Sequence, residues 1–205
     1  MSVQQAAYGA WTLFLVSWHL AMIWAAQARA REAAWARLLY LAAFVLGFGL
    51  LFTPAQGVSV FRLRQFAFSP FVPAPARRPL WQEPVAVAWA LFAFELVAFA
   101  FAWWARVHLG RLWSGMITLR EDHRVVDTGP YRLARHPIYT GFIGASWALA
   151  LMEATPVTLL GALILSVNMA VKARHEEAFL RAQLGRKAYD AYAARTPMLV
   201  PFAPR

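Results

Sequence analysis

Residues 84–105, PVAVAWALFAFELVAFAFAWWA, run for 22 positions with one ionisable side chain, Glu95, and close on the pair Trp103-Trp104. About 20 apolar residues in helical geometry cross a hydrocarbon layer roughly 30 Å thick. Tryptophans at the end of such a run suit the membrane–water interface. The stretch therefore reads as a transmembrane helix. Two more apolar runs precede it, 8–27 and 36–53, the second closed by Pro54. Two shorter ones follow, 138–152 and 157–173, split only by Glu153-Ala-Thr-Pro156. Their brief connection makes them an antiparallel helical hairpin. The expected fold is an all-α integral membrane protein of about five transmembrane helices, the fourth and fifth forming the hairpin. A C-terminal cytoplasmic amphipathic helix is expected over 174–194, where Phe179, Leu180, Leu184, Tyr189 and Tyr192 recur at helical spacing. Glu177 and Arg181 stand one turn apart within it and help hold it.

Composition agrees with that reading. The 205 residues are 60% hydrophobic and 15% charged, whereas soluble domains are near half apolar and a quarter charged. Such a chain is not disordered, not a disulfide scaffold (it has no Cys) and not an ordinary cytosolic enzyme. The excess of 20 Lys+Arg over 10 Asp+Glu points to anionic lipid rather than nucleic acid in a sequence this apolar. No repeat or low-complexity linker divides it, and the Pro-rich stretch 70–84 comes nearest to one. One domain, 1–205, is expected, with three N-terminal spans in 1–105 and a functional core in 106–205. The first run has no charge before it and is longer than a signal peptide's apolar core, so it reads as a retained helix. Five spans with the N-terminus outside put 16 Lys and Arg inside against Arg62, Arg64, Arg77 and Arg78 outside, the orientation that positive-inside bias favours. The C-terminus is therefore expected in the cytoplasm, and the expected membrane is a bacterial-type inner membrane.

Polar residues concentrate in 106–141 and 172–192, which the hairpin brings together. The first contains HRVVDTGPYRLARHPIYTG (123–141). Gly129-Pro130 marks a turn, and Pro137 suits the first turn of a helix, where its missing N–H costs nothing. His136 then sits at the positive end of that helix, a place that favours anionic ligand groups, with Tyr139 on the same face. An interfacial belt, with Arg132 and Arg135 on lipid phosphates, is the plainer reading of each residue alone. In the second stretch Lys172 and Glu176 stand one turn apart, with Arg174, His175 and Glu177 beside them. Paired glutamates there can bind a cation, act as a base or be solvated. His19 and Glu95 lie inside expected spans, where an ionisable group is costly. A backbone carbonyl can satisfy the first and protonation the second. Asn168 reads as an interhelical hydrogen-bonding residue. The five His are scattered without zinc-site spacing, and there is no P-loop, Gly-rich dinucleotide turn or Ser nucleophile elbow.

As an ordered set these residues resemble a known family. Gly-Pro-Tyr-x3-Arg-His-Pro-x-Tyr-x-Gly (129–141), preceded by His123 and followed by Glu176-Glu177-x7-Gly185-x3-Tyr189-x2-Tyr192 and by Arg195-Thr-Pro-Met-Leu-Val-Pro201, is similar to the isoprenylcysteine carboxyl methyltransferase family. Its wider relatives include membrane phospholipid and thiol methyltransferases. The resemblance covers about 106–201. It implies an integral membrane enzyme that transfers a methyl group from S-adenosyl-L-methionine, leaving S-adenosyl-L-homocysteine, to a lipophilic acceptor entering from the bilayer. By position it implies that His123, Arg124, Val125, Val126, Tyr131, Arg135, His136, Pro137, Ile138, Tyr139 and Glu176 hold the donor. Lys172 falls where eukaryotic members have a substrate-contacting Arg. It keeps the charge and loses the planar fork suited to a carboxylate.

Methyl transfer from a sulfonium is an in-line displacement that depends mainly on alignment. A carboxylate acceptor needs no base; an amine or thiol must lose a proton, and Glu176, Glu177 or His136 is then a candidate base. Lys172 and Glu177 are the expected catalytic residues, and no metal is expected. The expected partners are a lipophilic small molecule and membrane lipid, with no nucleic acid and no obligate protein partner. A different class, a membrane NADPH-dependent sterol- or polyprenyl-type reductase, would need Arg132, Arg135 and Arg174 to grip the cofactor phosphates. A third, a non-catalytic membrane subunit, would bind neither cofactor.

Overall fold

Ser2 and Gln5 start the first helix by exchanging bonds: the Ser2 hydroxyl accepts from the Gln5 N–H at 3.2 Å, and the Gln5 side chain accepts from the Ser2 N–H at 3.0 Å. Two orphan N–H groups of the first turn are thereby satisfied. A computed structural model describes residues 2–21, 28–31, 34–55, 71–113, 118–120 and 125–203. Its helices are α1 (Val3–Leu20), α2 (Ala34–Leu51), α3 (Val85–Leu109), α4 (Pro137–Glu153), α5 (Pro156–Leu184) and α6 (Arg186–Ala193). A short antiparallel ladder, β1 (Ala28–Arg31) with β2 (Thr118–Arg120), adds to this helical body and ties the segment after α1 to the segment after α3.

The hairpin forms where expected. Ala154 takes a left-handed conformation, φ 53°, and Thr155 caps α5 by accepting from the Thr158 N–H at 3.2 Å. Two residues thus reverse the chain, with Pro156 in the first turn of α5. Trp147 of α4 donates to Ser166 of α5 at 2.9 Å. Beyond residue 173 the structure differs from the expectation. α5 is one helix of 29 residues, so most of 174–194 extends it, and only Arg186–Ala193 forms a separate helix. The rise in polarity at 174 carries no backbone break; the first is Gly185, at φ 94°.

Among the described residues, three helices are long and apolar enough to cross a membrane: Ala34–Leu51, Val85–Leu112 and Pro156–Gln183. α1 and α4, with 18 and 17 residues, are helical where spans are expected but are not in that set. Leu13, Leu38, Leu39, Trp89, Val97 and Val107 face outward, which an apolar solvent accommodates.

Small residues let the helices close up. A Cβ on Gly141 of α4 would meet the Ala98 carbonyl of α3 at 2.5 Å, and one on Gly161 of α5 would meet the Leu51 nitrogen of α2 at 2.5 Å. Trp11 of α1, fully buried, packs edge-on against Phe48, Phe52, Phe99 and Phe142. His19 donates from Nδ1 to the Leu15 carbonyl at 2.7 Å, and Asn168 of α5 donates to the Tyr40 carbonyl of α2 at 3.2 Å. Both are the satisfied structural groups that the sequence suggests. Glu95 is fully buried, with neither carboxyl oxygen partnered among the described residues. Arg106, assigned from sequence to a cytoplasmic loop, is instead 2% exposed at the end of α3. It donates to the Ala21 carbonyl, which ties the end of α3 to the end of α1, and its guanidinium lies 3.3 Å from the ring centre of Trp113 just beyond α3, a cation–π contact.

Candidate functional site

The chain enters the site through the turn Gly129–Arg132. Gly129 has φ 57°, and a Cβ there would strike the His108 ring at 2.8 Å, so the turn requires glycine. Tyr131 is buried behind it, its carbonyl accepting from the Tyr192 hydroxyl at 2.7 Å. Burial pushes both phenols above their usual range, with the Glu176 charge adding to the effect at Tyr131. The backbone N–H groups of Arg135 and His136 then donate to the carbonyls of Pro197 and Met198 at 2.9 and 3.0 Å, and Thr140 donates to Leu199. The C-terminal strip 197–199 is thus zipped onto the entrance of α4. The sequence suggests a role for 195–201 only through resemblance, because no pattern within it reveals this pairing.

His136 is the N-cap residue of α4 and makes no side-chain cap. In the first turn after it, Pro137 has no N–H, and those of Ile138 and Tyr139 have no acceptor within the helix. The His136 ring stacks on Tyr139, centroids 5.3 Å apart and planes 6° from parallel. Its Nε2 donates to Glu177 Oε1 at 3.2 Å, and its Nδ1 lies 3.8 Å from Glu176 Oε2. The Tyr139 hydroxyl donates to that same Glu176 oxygen at 2.7 Å. Lys172, one turn earlier on α5, has its ammonium 5.5 Å from the Tyr139 ring centre.

Two adjacent glutamates meet different surroundings. Glu177 is buried, and Arg135 grips both its oxygens, Nε at 2.7 Å and Nη2 at 3.2 Å, while Arg181 approaches to 3.5 Å. Arg135 also donates to the carbonyls of Ala193 and Thr196. One guanidinium therefore fastens α5, the end of α6 and the start of the tail to the entrance of α4. Glu176 has a side chain 29% exposed, and neither of its contacts above uses Oε1. Among the described residues, Glu177 is held from several sides by the scaffold, whereas these contacts of Glu176 run through Oε2.

Of the residues expected to hold a donor, the structure gathers Tyr131, Arg135, His136, Pro137, Ile138, Tyr139 and Glu176 around the entrance of α4, and Val125 and Val126 are half-buried in the segment leading to it. His123 and Arg124 lie outside the described residues. Next to this cluster, a cavity of about 240 Å³ is lined by Ile138, Tyr139, Asn168 and Lys172, with Trp18 and Tyr40 opposite. A second, wider groove of about 550 Å³ runs between α2 and α5 along Leu39, Val167 and Val171 and shares Tyr40 and Asn168 with the first. The Tyr40 hydroxyl is hydrogen-bonded to His175 Nδ1. Sequence reasoning missed Tyr40, because a tyrosine within an apolar run carries no signal of what it faces.

The comparisons with known proteins fall on this same region. Residues 86–182 match the family described as isoprenylcysteine carboxyl methyltransferase (ICMT) family. Over 101 residues the chain is 34% identical to Protein-S-isoprenylcysteine O-methyltransferase B of Arabidopsis thaliana, covering 48% of this chain and 51% of that one. Over 95 residues it is 35% identical to Cobalt-zinc-cadmium resistance protein CzcN of Cupriavidus metallidurans, covering 45% of this chain and 43% of that one. A probable protein-S-isoprenylcysteine O-methyltransferase of rice is 33% identical over 101 residues, 48% of this chain and 52% of that one. The chain spans about half the length of the curated relatives it matches.

Proposed function

From the match of residues 86–182 to the isoprenylcysteine carboxyl methyltransferase family we propose that the protein is an integral membrane methyltransferase. It takes its methyl group from S-adenosyl-L-methionine and delivers it to a lipophilic acceptor. The observation that carries the reading is the adjacency of two unlike surfaces: the polar cluster of His136, Tyr139 and Glu176, and the mostly apolar cavity that shares Tyr139 with it.

The donor set fits that cofactor. A half-exposed carboxylate, Glu176, offers an oxygen to hydroxyl or ammonium donors, and the first-turn N–H groups of Ile138 and Tyr139 offer the positive end of α4 to a carboxylate. When bound, the cofactor supplies an electrophilic methyl on a positively charged sulfur. Glu176, Tyr139, His136 and Ile138 hold it, while Val125, Val126, Tyr131 and Pro137 shape the wall behind, and His123 and Arg124 belong to the same proposed set. Arg135 and Glu177 position them: the fork on Glu177 fixes where His136 stands, and His136 fixes the Tyr139 ring through stacking. We assign Glu177 this positioning role rather than that of a base, since Arg135, His136 and Arg181 already surround it. Lys172 faces the shared cavity as a point charge toward the acceptor.

The acceptor is proposed only as a class, a lipophilic carboxylate, amine or thiol, because the names of the relatives differ. Two are called O-methyltransferases and one a metal-resistance protein. For an amine or thiol, Glu176 or His136 is the group within reach to take the proton. The proposed topology has five spans, with α1 and α4 joining the three longest helices, the N-terminus outside, and the α4 entrance at the cytoplasmic face of a bacterial-type inner membrane. Membranes containing the protein, given donor with a radiolabelled methyl group, are expected to place label in an organic-extractable product, and membranes with Glu176→Gln are not. Equal labelling from both would remove the assigned site.

A further inference from the structure

The opposite end of α4 carries a second polar cleft. At 1.5 Å per residue, the 17 residues of α4 place Glu153 about 25 Å from the His136 end. The cleft encloses about 200 Å³ between Gln4 at the start of α1, Ala55 just after α2, Trp81, Gln82 and Glu83 ahead of α3, and Glu153 itself. Glu153 is 2% exposed. Its Oε2 accepts from the Ala55 N–H at 2.7 Å, but its Oε1 is buried with no hydrogen-bond partner among the described residues. A buried carboxyl oxygen without a donor is costly to keep, and Glu153 is one of the residues that line the cleft, so a small displacement of its side chain would let that oxygen take a donor from outside the fold.

The lining selects that donor. Glu83 is the second acidic group on the cleft, Gln4 and Gln82 contribute amide groups, and among the described residues that line it there is no Lys or Arg, so this lining is acidic. Among the described residues no group of three or more His, Cys, Asp or Glu is arranged to hold a metal ion. Trp81 and Met152 add apolar surface, which suits an organic group rather than a bare ion. We infer that this cleft binds a small organic ammonium group, its N–H donating to Glu153 Oε1 and its charge facing Glu83. The ammonium arrives either on a free short-chain amine or on the head group of an aminated phospholipid. The inference does not depend on methyl transfer at the other end of α4.

The test uses the full chain purified in detergent, with ethylammonium chloride as titrant and tetramethylammonium, which has no N–H, as its counterpart. Ethylammonium is expected to bind saturably, or to displace co-purified phosphatidylethanolamine detected by native mass spectrometry, and tetramethylammonium to do neither. Glu153→Gln is expected to weaken binding at least tenfold and Glu83→Gln several-fold, while Glu176→Gln leaves it unchanged. Displacement of phosphatidylethanolamine identifies the head group as the source; ethylammonium binding to lipid-free protein identifies the free amine. Glu83 is only partly buried, so its variant decides the matter even where Glu153→Gln fails to fold. Neither binding nor displacement, equal response to tetramethylammonium, or affinity unchanged in Glu83→Gln would overturn the inference.

Discussion

Replacing Arg135 by methionine removes a side chain that bonds from the entrance of α4 to α5, to the end of α6 and to the tail at once. The Arg135 and Glu177 side chains are 12% and 5% exposed, so the pair is buried rather than screened by solvent. Breaking such a pair by deleting one partner costs about 3–5 kcal/mol, because the other charge stays buried. Here the low end applies, about 3 kcal/mol, since His136 and Arg181 still face Glu177. At about 2–4 °C per kcal/mol for a chain of this size, the melting temperature drops by roughly 6–12 °C. The assay is thermal unfolding in detergent, followed by tryptophan fluorescence. A double variant, Arg135→Met with Glu177→Met, is expected to recover most of the loss, because replacing both partners by apolar side chains is often neutral or stabilising. Arg135→Met within about 0.5 kcal/mol of wild type would mean that the pair behaves as a surface contact, and the argument for a buried clamp would fail.

Other expectations are narrower. Tyr139→Phe deletes a 2.7 Å donation to Glu176; a bond to a charged group is worth about 1.5–3 kcal/mol, so the melting temperature should fall by roughly 3–12 °C, and S-adenosyl-L-homocysteine should bind more weakly because Glu176 is no longer held in place. Gly161→Ala drives a methyl against the α2 backbone at 2.5 Å and should cost about 1–3 kcal/mol, whereas Gly9→Ala meets open space and should gain about 0.5–1 kcal/mol; comparing the two melting temperatures checks the helix packing. Tyr131, Tyr189 and Tyr192 all have phenols raised above the usual range, chiefly by burial. The unfolded chain loses those protons first, so their contribution is complete below about pH 10, the ordinary tyrosine value, and is lost as pH climbs above it. Denaturation curves at rising pH should show that decline, and Tyr192→Phe should make it shallower.

Much of the architecture was legible because the breaks in the chain are chemical. Glu153-Ala-Thr-Pro156 interrupts two apolar runs with a charge and a proline, and the hairpin turns there. By contrast, the change from apolar to charged residues at 174 is only a change of solvent, and α5 passes through it to Gly185. His136 and Tyr139 could be placed on one face by their spacing, and the structure stacks them. The resemblance assigns Glu176 to the donor, and Glu177 is expected in catalysis, but the side-chain pattern does not say which of the two is buried, since neighbours on a helix point about 100° from each other and only the position of Arg135 decides it. Arg106 carries no mark of burial in the sequence because its partners, the Ala21 carbonyl and the Trp113 ring, are a backbone group and an apolar ring rather than a countercharge. The pairing of 135–136 with 197–198 is backbone to backbone and leaves no mark in the side-chain pattern.

The most direct measurement is calorimetric titration of S-adenosyl-L-homocysteine into detergent-purified wild-type protein and Glu176→Gln, with NADPH as the parallel ligand. The proposed function requires saturable binding of the nucleoside to wild type, at least tenfold weaker binding to the variant, and no binding of NADPH. Equal affinity for wild type and variant would contradict the assigned site, and binding of NADPH alone would contradict methyl transfer itself.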